Sequence, residues 1–225
     1  MEFGNLLLYL AFFLSLSSLL MFILSFKYKS AKYSTVAELL VYASFSIVLA
    51  AFLLLVYYFV TDNFSIYYVY TNSNKVMGAI YKVSATWAGR EGSLLLWSLF
   101  NLAVFSIFLL TCDKDYYDLK ASILLSAIST SVLAINTFVS SPFQHMPFQP
   151  SDGIGLNPLL RTFEMILHPP VIFLGYAATA VPYALHTANK TKNARMWMKV
   201  AWIFLTLGIL LGSWWAYPVS YTHLR

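Results

Sequence analysis

The residue whose type and position could carry chemistry is His168, which Pro169 and Pro170 follow at the start of an apolar segment. Because a proline disfavours the α conformation for the residue before it, the pattern predicts a helix that begins after His168. Prolines suit the first turn of a helix, whose N–H groups have no partner within that helix. The imidazole is then predicted to lie just outside the helix. There it would be an axial ligand of a haem iron, a proton relay or an ordinary residue of a membrane interface.

The composition of the chain indicates a membrane protein. Of its 225 residues, 60% are hydrophobic and 10% are charged, whereas soluble domains have about 25% charged residues. The net charge is +5, but no cluster of basic residues is present that would bind a phosphate backbone, so nucleic acid is not expected as a partner. Cys112 is the single cysteine, which excludes an internal disulfide and a Cys-x-x-Cys site. Thiols for any thiol chemistry must therefore come from a partner.

Six apolar segments are long enough, or nearly so, to cross a hydrocarbon core, which takes about 20 residues. They are residues 6–26, 36–60, 93–111, 121–140, 169–187 and 200–217. The expected fold is an all-α, polytopic membrane protein with six transmembrane helices in the lipid bilayer and two longer, structured outer loops. The only charged residue within the segments is Glu38, close to an end.

The basic residues predict the orientation of these segments. Nine of them lie in the three short connections that follow the first, third and fifth segments, and four lie in the two longer loops, 61–92 and 141–168. Short connections rich in lysine and arginine stay in the cytoplasm. The N-terminus and both longer loops are therefore expected on the outer side.

The two longer loops are predicted to be structured. Residues 65–71 are rich in aromatic and β-branched residues and predict a short strand. Asn157 and Pro158, with apolar residues at 159, 160, 163, 166 and 167, predict an amphipathic helix that lies flat on the membrane and leads to His168. Glu91 suits the start of the third transmembrane helix. Trp87 either anchors that helix start at the interface or forms a rim against which a flat ligand packs.

Five stretches, taken together, resemble one family, the CcmF-type cytochrome c haem lyases. They are residues 62–74, residues 85–97 with Glu91-Gly92-Ser93, residues 156–160, His168-Pro169-Pro170 with Gly175-Tyr176, and residues 201–217. Their order and spacing are similar to the N-terminal part of that family over residues 1–217. The resemblance implies a multi-pass protein of the cytoplasmic membrane that acts in cytochrome c maturation. It would handle haem b at the outer face and join it to apocytochrome c at a Cys-x-x-Cys-His motif.

The resemblance also implies the site residues and partners. His168 matches the histidine that is an axial ligand of the haem iron in the family, and Trp214 and Trp215 begin the family's tryptophan-rich haem platform. Trp87 and Arg161 are further candidates for haem binding: Arg161 would pair with a haem propionate, or is simply a solvated surface arginine. The implied partners are a haem chaperone, other cytochrome c maturation proteins and apocytochrome c.

The chain departs from the family pattern in two places. Arg90 stands where histidine or a small polar residue is expected, so the resemblance gives it no role. Residues 218–225 match neither the family nor a transmembrane helix, and Pro218 is expected to end the last helix. Residues 1–217 are therefore expected to form an N-terminal membrane domain and residues 218–225 a non-native tail, in which His223 is not a ligand. A haem lyase activity is expected of a longer protein, and not of this piece alone.

Two other functions remain open at this point. One is a subunit of a transporter or channel, which would normally place paired ionisable residues within the membrane. The helices offer only Glu38 for this, with no cation expected at matching depth. The other is a purely structural subunit of a membrane complex.

Overall fold

Eight α-helices make up most of the chain in the computed structural model, which describes residues 3–223 but not the side chains of residue 192 and residues 218–223. In chain order they are α1 Phe3–Tyr28, α2 Ala31–Val60, α3 Tyr67–Asn72, α4 Ala79–Ala85, α5 Arg90–Thr111, α6 Tyr116–Ala134, α7 Phe163–Thr187 and α8 Thr191–His223. A π-helical turn, Ile135–Val139, continues α6, and a 3-10 turn, Pro158–Leu160, precedes α7. The helices α1, α2, α5, α6, α7 and α8 contain stretches that are long and apolar enough to cross a membrane, which confirms the six predicted segments.

The helix α5 is central to the bundle. It packs against α2, α6 and α7, whereas α1 packs against α2 and α6, and α8 packs against α7. Hydroxyl groups join several of these helices: the Ser15 and Thr130 hydroxyls are 2.8 Å apart, and the Ser44 hydroxyl donates to the Ala11 carbonyl at 2.9 Å. Such interhelical contacts suit a bilayer, where close van der Waals packing and hydrogen bonds replace the hydrophobic effect as the source of association.

The strand predicted at residues 65–71 is wrong, because residues Tyr67–Asn72 form the short helix α3. Only Ile66 pairs as in a sheet, in an isolated antiparallel bridge with His145. The helix buries both Tyr68 and Val69. A strand would turn these two neighbours to opposite faces and bury only one of them. The burial of both side chains therefore outweighs the intrinsic preference of these residues for a β-strand.

The predicted start of α7 is also wrong, because the helix begins at Phe163 and contains His168 and both prolines. Thr162 caps the helix by accepting the Met165 N–H at 3.4 Å. Pro169 has no N–H to offer the Met165 carbonyl, and the indole N–H of Trp87 donates to that carbonyl at 3.3 Å instead. An external donor thus compensates for the proline, and the helix continues through it.

The predicted amphipathic helix before His168 is confirmed only in its first turn. The Asn157 side chain accepts the Leu159 N–H at 3.0 Å, and Pro158 is the first residue of the turn. The turn ends at Leu160, so residues 163–167 belong to α7 and do not lie in a separate helix.

The last helix is longer than predicted. It begins at Thr191 and runs past Pro218 to His223, so the expected end before Pro218 is wrong. A proline removes one hydrogen bond of the ladder, but the other backbone groups can still pair within the helix, so the helix continues with one bond fewer. Residues 224 and 225 lie outside the described residues.

Ion pairs join the three short basic connections at one end of the bundle. Lys114 donates to Glu38 at 2.7 Å, which overturns the expectation that Glu38 has no cation partner. Lys190, between α7 and α8, lies within 3.0 Å of carboxylate oxygens of Asp113, Asp115 and Asp118. These pairs lie in connections and at helix ends, where they bind the helix ends to one another. They do not form the path of paired charges within the membrane that the transporter hypothesis requires.

Candidate functional site

A cavity of about 470 Å³ lies between the start of α5 and the helices α7 and α8, at the end of the bundle opposite to the basic connections. Its walls are mainly apolar and aromatic, and its polar groups come from a few side chains. Residues that matter for its chemistry are Trp87, Arg90, His168, Phe173, Ile209 and Trp215.

The geometry of His168 determines which ring nitrogen is available to a ligand. Its Nδ1 atom lies 2.8 Å from the Gly208 carbonyl oxygen on α8. A carbonyl oxygen can only accept, so Nδ1 carries the proton and donates it. In the neutral ring the lone pair is then on Nε2, the nitrogen that a metal would take. A second group that fixes the tautomer and the orientation of a ligating histidine is typical of metal sites in proteins.

Two glycines on α8 allow the side chains of α7 to pack directly against the α8 backbone. A Cβ atom at Gly212 would lie 2.7 Å from Cε1 of His168, and one at Gly208 would lie 2.7 Å from Cδ1 of Ile172. Both distances are shorter than side-chain packing permits. The absence of a side chain at Gly212 is therefore a condition for the observed position of the imidazole.

Trp87 connects the start of α5 to the segment that carries His168. Its indole N–H donates to the Met165 carbonyl, and its ring stacks on Phe52 at 6.5 Å with an interplanar angle of 12°. The buried Tyr68 hydroxyl holds the loop behind Trp87 by accepting the Gly89 N–H at 2.9 Å and donating to the Thr86 carbonyl at 3.2 Å. Burial raises the pKa of the Tyr68 phenol far above its usual value, so it stays protonated and can donate.

Trp215 lies beside the imidazole and has an unused donor. Its ring centroid is 5.9 Å from that of His168, with an interplanar angle of 46°. Its indole N–H is buried, and no hydrogen-bond acceptor for it lies among the described residues. Since buried N–H groups are normally paired, this donor indicates an acceptor that the described part of the chain does not supply.

Three of the five predicted site residues line the cavity together: Trp87, His168 and Trp215. Trp214 does not line it, and its side chain is 55% exposed on the outside of α8. Arg161 does not line it either, and its Nε atom donates to the Leu156 carbonyl at 3.0 Å. The exposed His145 and His186 are likewise not among the lining residues.

The sequence interpretation missed several lining residues, namely Arg90, Ile172, Phe173, Tyr176 and Ile209. Helical spacing would have found two of them, because His168, Ile172 and Tyr176 are four residues apart on one face of α7. The spacing has this meaning only when His168 itself belongs to the helix. Arg90 departs from the family pattern, so the resemblance predicts no role for it.

Fold and site together define a class: a polytopic membrane protein with an imidazole of fixed tautomer in an apolar, aromatic cavity at one end of its bundle. A family model, "Cytochrome C assembly protein", matches residues 87–222, which is more than half of the chain. The chain therefore belongs to the cytochrome c assembly protein family.

Individual relatives agree with this family. The chain is 37% identical over 201 residues to the cytochrome c-type biogenesis protein CcmF of Haemophilus influenzae, a match that covers 84% of the chain and 31% of the relative. It is 38% identical to CcmF of Escherichia coli, over 80% of the chain and 30% of the relative. A solved structure, "Cytochrome c Heme Lyase CcmF", superposes with a TM-score of 0.80 at 26% identity over 95% of the chain and 36% of that structure. The chain spans about a third of the length of these relatives.

Proposed function

We propose that this chain receives haem b at the outer face of the cytoplasmic membrane and acts, within a larger haem lyase, in the joining of haem to apocytochrome c. In this proposal His168 is an axial ligand of the haem iron through Nε2. The observation that carries it is the hydrogen bond from Nδ1 to the Gly208 carbonyl, which leaves the lone pair on Nε2 of a histidine that lines a cavity with aromatic walls.

The residues of the cavity fit such a ligand. The macrocycle of haem is flat and apolar, and Trp87, Phe173 and Trp215 provide flat, apolar contact surfaces. The buried indole N–H of Trp215 lacks an acceptor among the described residues and suits a polar group of the ligand. The second axial ligand would come from outside this chain or from another part of a longer protein.

The chemistry requires mainly positioning. When haem is bound, it supplies the vinyl groups, and each cysteine thiol of the Cys-x-x-Cys-His motif adds across one vinyl double bond, its sulfur to one carbon and its hydrogen to the other. The protein accelerates such an addition by holding the two reactants in register. His168 would fix one reactant, and the Trp87–Met165 hydrogen bond would fix the helix that carries His168. A haem chaperone and other cytochrome c maturation proteins would bring haem and apocytochrome c to the site.

The distribution of charge supports an outer location for the cavity. The ion pairs from Lys114 to Glu38 and from Lys190 to Asp113 join the three short basic connections at one end of the bundle. Basic connections of this kind stay in the cytoplasm. The N-terminus and the cavity, at the opposite end, would then be outside.

Titration with ferric haem, followed by visible absorption, tests the proposal. His168→Ala should weaken haem binding at least tenfold and change the position of the absorption bands, because it removes an axial ligand. His186→Ala is the matched control, because His186 is an exposed histidine of the same helix and lies near its other end. Equal affinities and spectra for the wild type and His168→Ala would refute the proposal.

A further inference from the structure

A second, polar cavity lies beside the one that contains His168. Its volume is about 170 Å³, and Tyr67, Arg90, Glu91, Ser140 and Gln144 are among the residues that line it. Arg90 lines both cavities and therefore lies at their boundary.

One residue that lines the polar cavity, Ser140, has a buried hydroxyl group for which the described residues supply no partner. Ser140 is 3% exposed, and its Oγ atom has no hydrogen-bond partner among the described residues. Ser140 follows the π-helical turn Ile135–Val139, and its N–H donates to the Ile135 carbonyl at 3.1 Å. Turns of this kind are often found at functional sites, because the extra residue reorients the side chains around it.

The guanidinium group of Arg90 has N–H donors that its ion pair with Glu91 does not use. Its Nη2 atom donates to Oε1 of Glu91 at 2.8 Å, and its side chain is 75% exposed. A guanidinium group has five N–H donors in a planar fork that matches a carboxylate. Glu91 uses part of that fork, and its own negative charge keeps a second carboxylate on the opposite side of the guanidinium.

Together the two cavities match an amphipathic ligand: one is aromatic and contains an imidazole, and the other is polar, with a cation at the boundary. We propose that Arg90 binds a propionate carboxylate of the haem that lies beside His168, at the boundary of the two cavities and on the side of its guanidinium that Glu91 leaves free. This inference rests on the proposed function. The carboxylates of haem lie on one edge of the macrocycle, so this contact would turn the vinyl-bearing side away from α5 and toward α8.

Binding of haem and of haem dimethyl ester, which lacks the free carboxylates, tests the role of Arg90. A hydrogen bond between charged groups is worth enough to change an affinity about tenfold or more. The wild type should therefore bind haem about tenfold more tightly than the ester. Arg90→Gln should bind the two equally, with an unchanged affinity for the ester, which also shows that the variant is folded.

Arg161→Gln is the matched control, because Arg161 belongs to the same outer region but lines neither cavity. It should keep the full preference for haem. An equal loss of both ligands in Arg90→Gln, no preference in the wild type, or a loss of preference in Arg161→Gln as large as in Arg90→Gln would each overturn the inference.

The variant His168→Ala separates this inference from the proposed function. It should weaken the binding of haem and of the ester to the same extent, because the imidazole contacts the iron that both contain. If His168→Ala changes neither affinity while Arg90→Gln lowers that for haem alone, the ligand role of His168 fails and the carboxylate site remains.

Discussion

The substitution Gly212→Ala displaces the imidazole of His168 and leaves the residue itself in place. The new Cβ atom would lie 2.7 Å from Cε1 of His168, whereas ordinary contact begins at 3.4 Å, so the ring or the helix must move by about 0.7 Å. A movement of that size along the bond between Nδ1 and the Gly208 carbonyl lengthens it from 2.8 Å to about 3.5 Å, where a hydrogen bond is lost.

The loss of this hydrogen bond should cost about 1 kcal/mol in haem binding, or a factor of about five in affinity, because the tautomer and the orientation of the ring are no longer fixed. Crowding of the α7–α8 contact should also lower the free energy of unfolding of the protein in detergent by about 1–3 kcal/mol, and with it the melting temperature. Haem titration and a melting curve measure the two effects separately.

Two glycine variants serve as controls for Gly212→Ala. Gly78→Ala places its Cβ atom 4.0 Å from Tyr81 and should change neither quantity. Gly208→Ala crowds Ile172 and not the imidazole, so it should lower stability with a smaller effect on haem affinity. Wild-type haem affinity and spectrum in Gly212→Ala would refute the view that the α8 backbone positions His168.

Three further predictions concern the orientation, the Trp87 bond and the basic end of the bundle. In a Cys112→Ser background, cysteines placed at Lys29 and Lys75 should be labelled from outside intact cells only at position 75; labelling only at position 29 would reverse the orientation. Trp87→Phe keeps the stacking on Phe52 but removes the N–H, so it should weaken haem binding about fivefold, whereas Phe52→Leu should leave the visible spectrum unchanged. Lys190→Met should destabilise the protein by about 3 kcal/mol, since it leaves the buried Asp118 without its cation, and the exposed Lys27 gives the control, Lys27→Met.

The same cluster predicts how stability depends on pH. Burial raises the pKa of Asp115, but hydrogen bonds from the Asp118 N–H and from Lys190 outweigh it and hold the pKa below its usual value. A carboxyl group with a lowered pKa contributes stability above its unfolded pKa of about 4, and this stability is lost as the pH falls through the folded value. The melting temperature of the wild type should therefore fall below about pH 4. A fall of the same size in Lys190→Met would exclude Lys190 as a cause.

The membrane segments could be predicted from the sequence because their signal is long and apolar. Every residue of such a segment adds to the same signal, so an error at one end does not remove the helix. The ends were less certain: α7 and α8 both begin earlier than predicted, and α8 continues through Pro218. A local rule about proline cannot include a donor from elsewhere in the chain, and the Trp87 indole is 78 residues away from the carbonyl that it binds.

The candidate site shows the same limit in another form. His168 and Trp215 were singled out by type and motif, and both line the cavity. The hydrogen-bond partner of His168 could not be predicted, because it is the backbone carbonyl of Gly208 and every residue type has such a carbonyl. Arg90 and Arg161 cannot be ranked from the sequence either, since only the packing of α5 against α7 shows which of them faces the cavity.

Pro169 explains how contacts from outside the helix can hold His168 in place. A proline within a helix leaves the carbonyl four residues earlier without its N–H. At Pro169 that carbonyl belongs to Met165, and the loop before α5 uses it as an attachment point through Trp87. His168 follows Met165 by about one turn of α7, and its imidazole donates to the Gly208 carbonyl of α8. The position of His168 is thus fixed from two sides, by a donor from the α5 side and an acceptor from α8. A change at either contact should therefore move the imidazole while the six-helix bundle stays assembled.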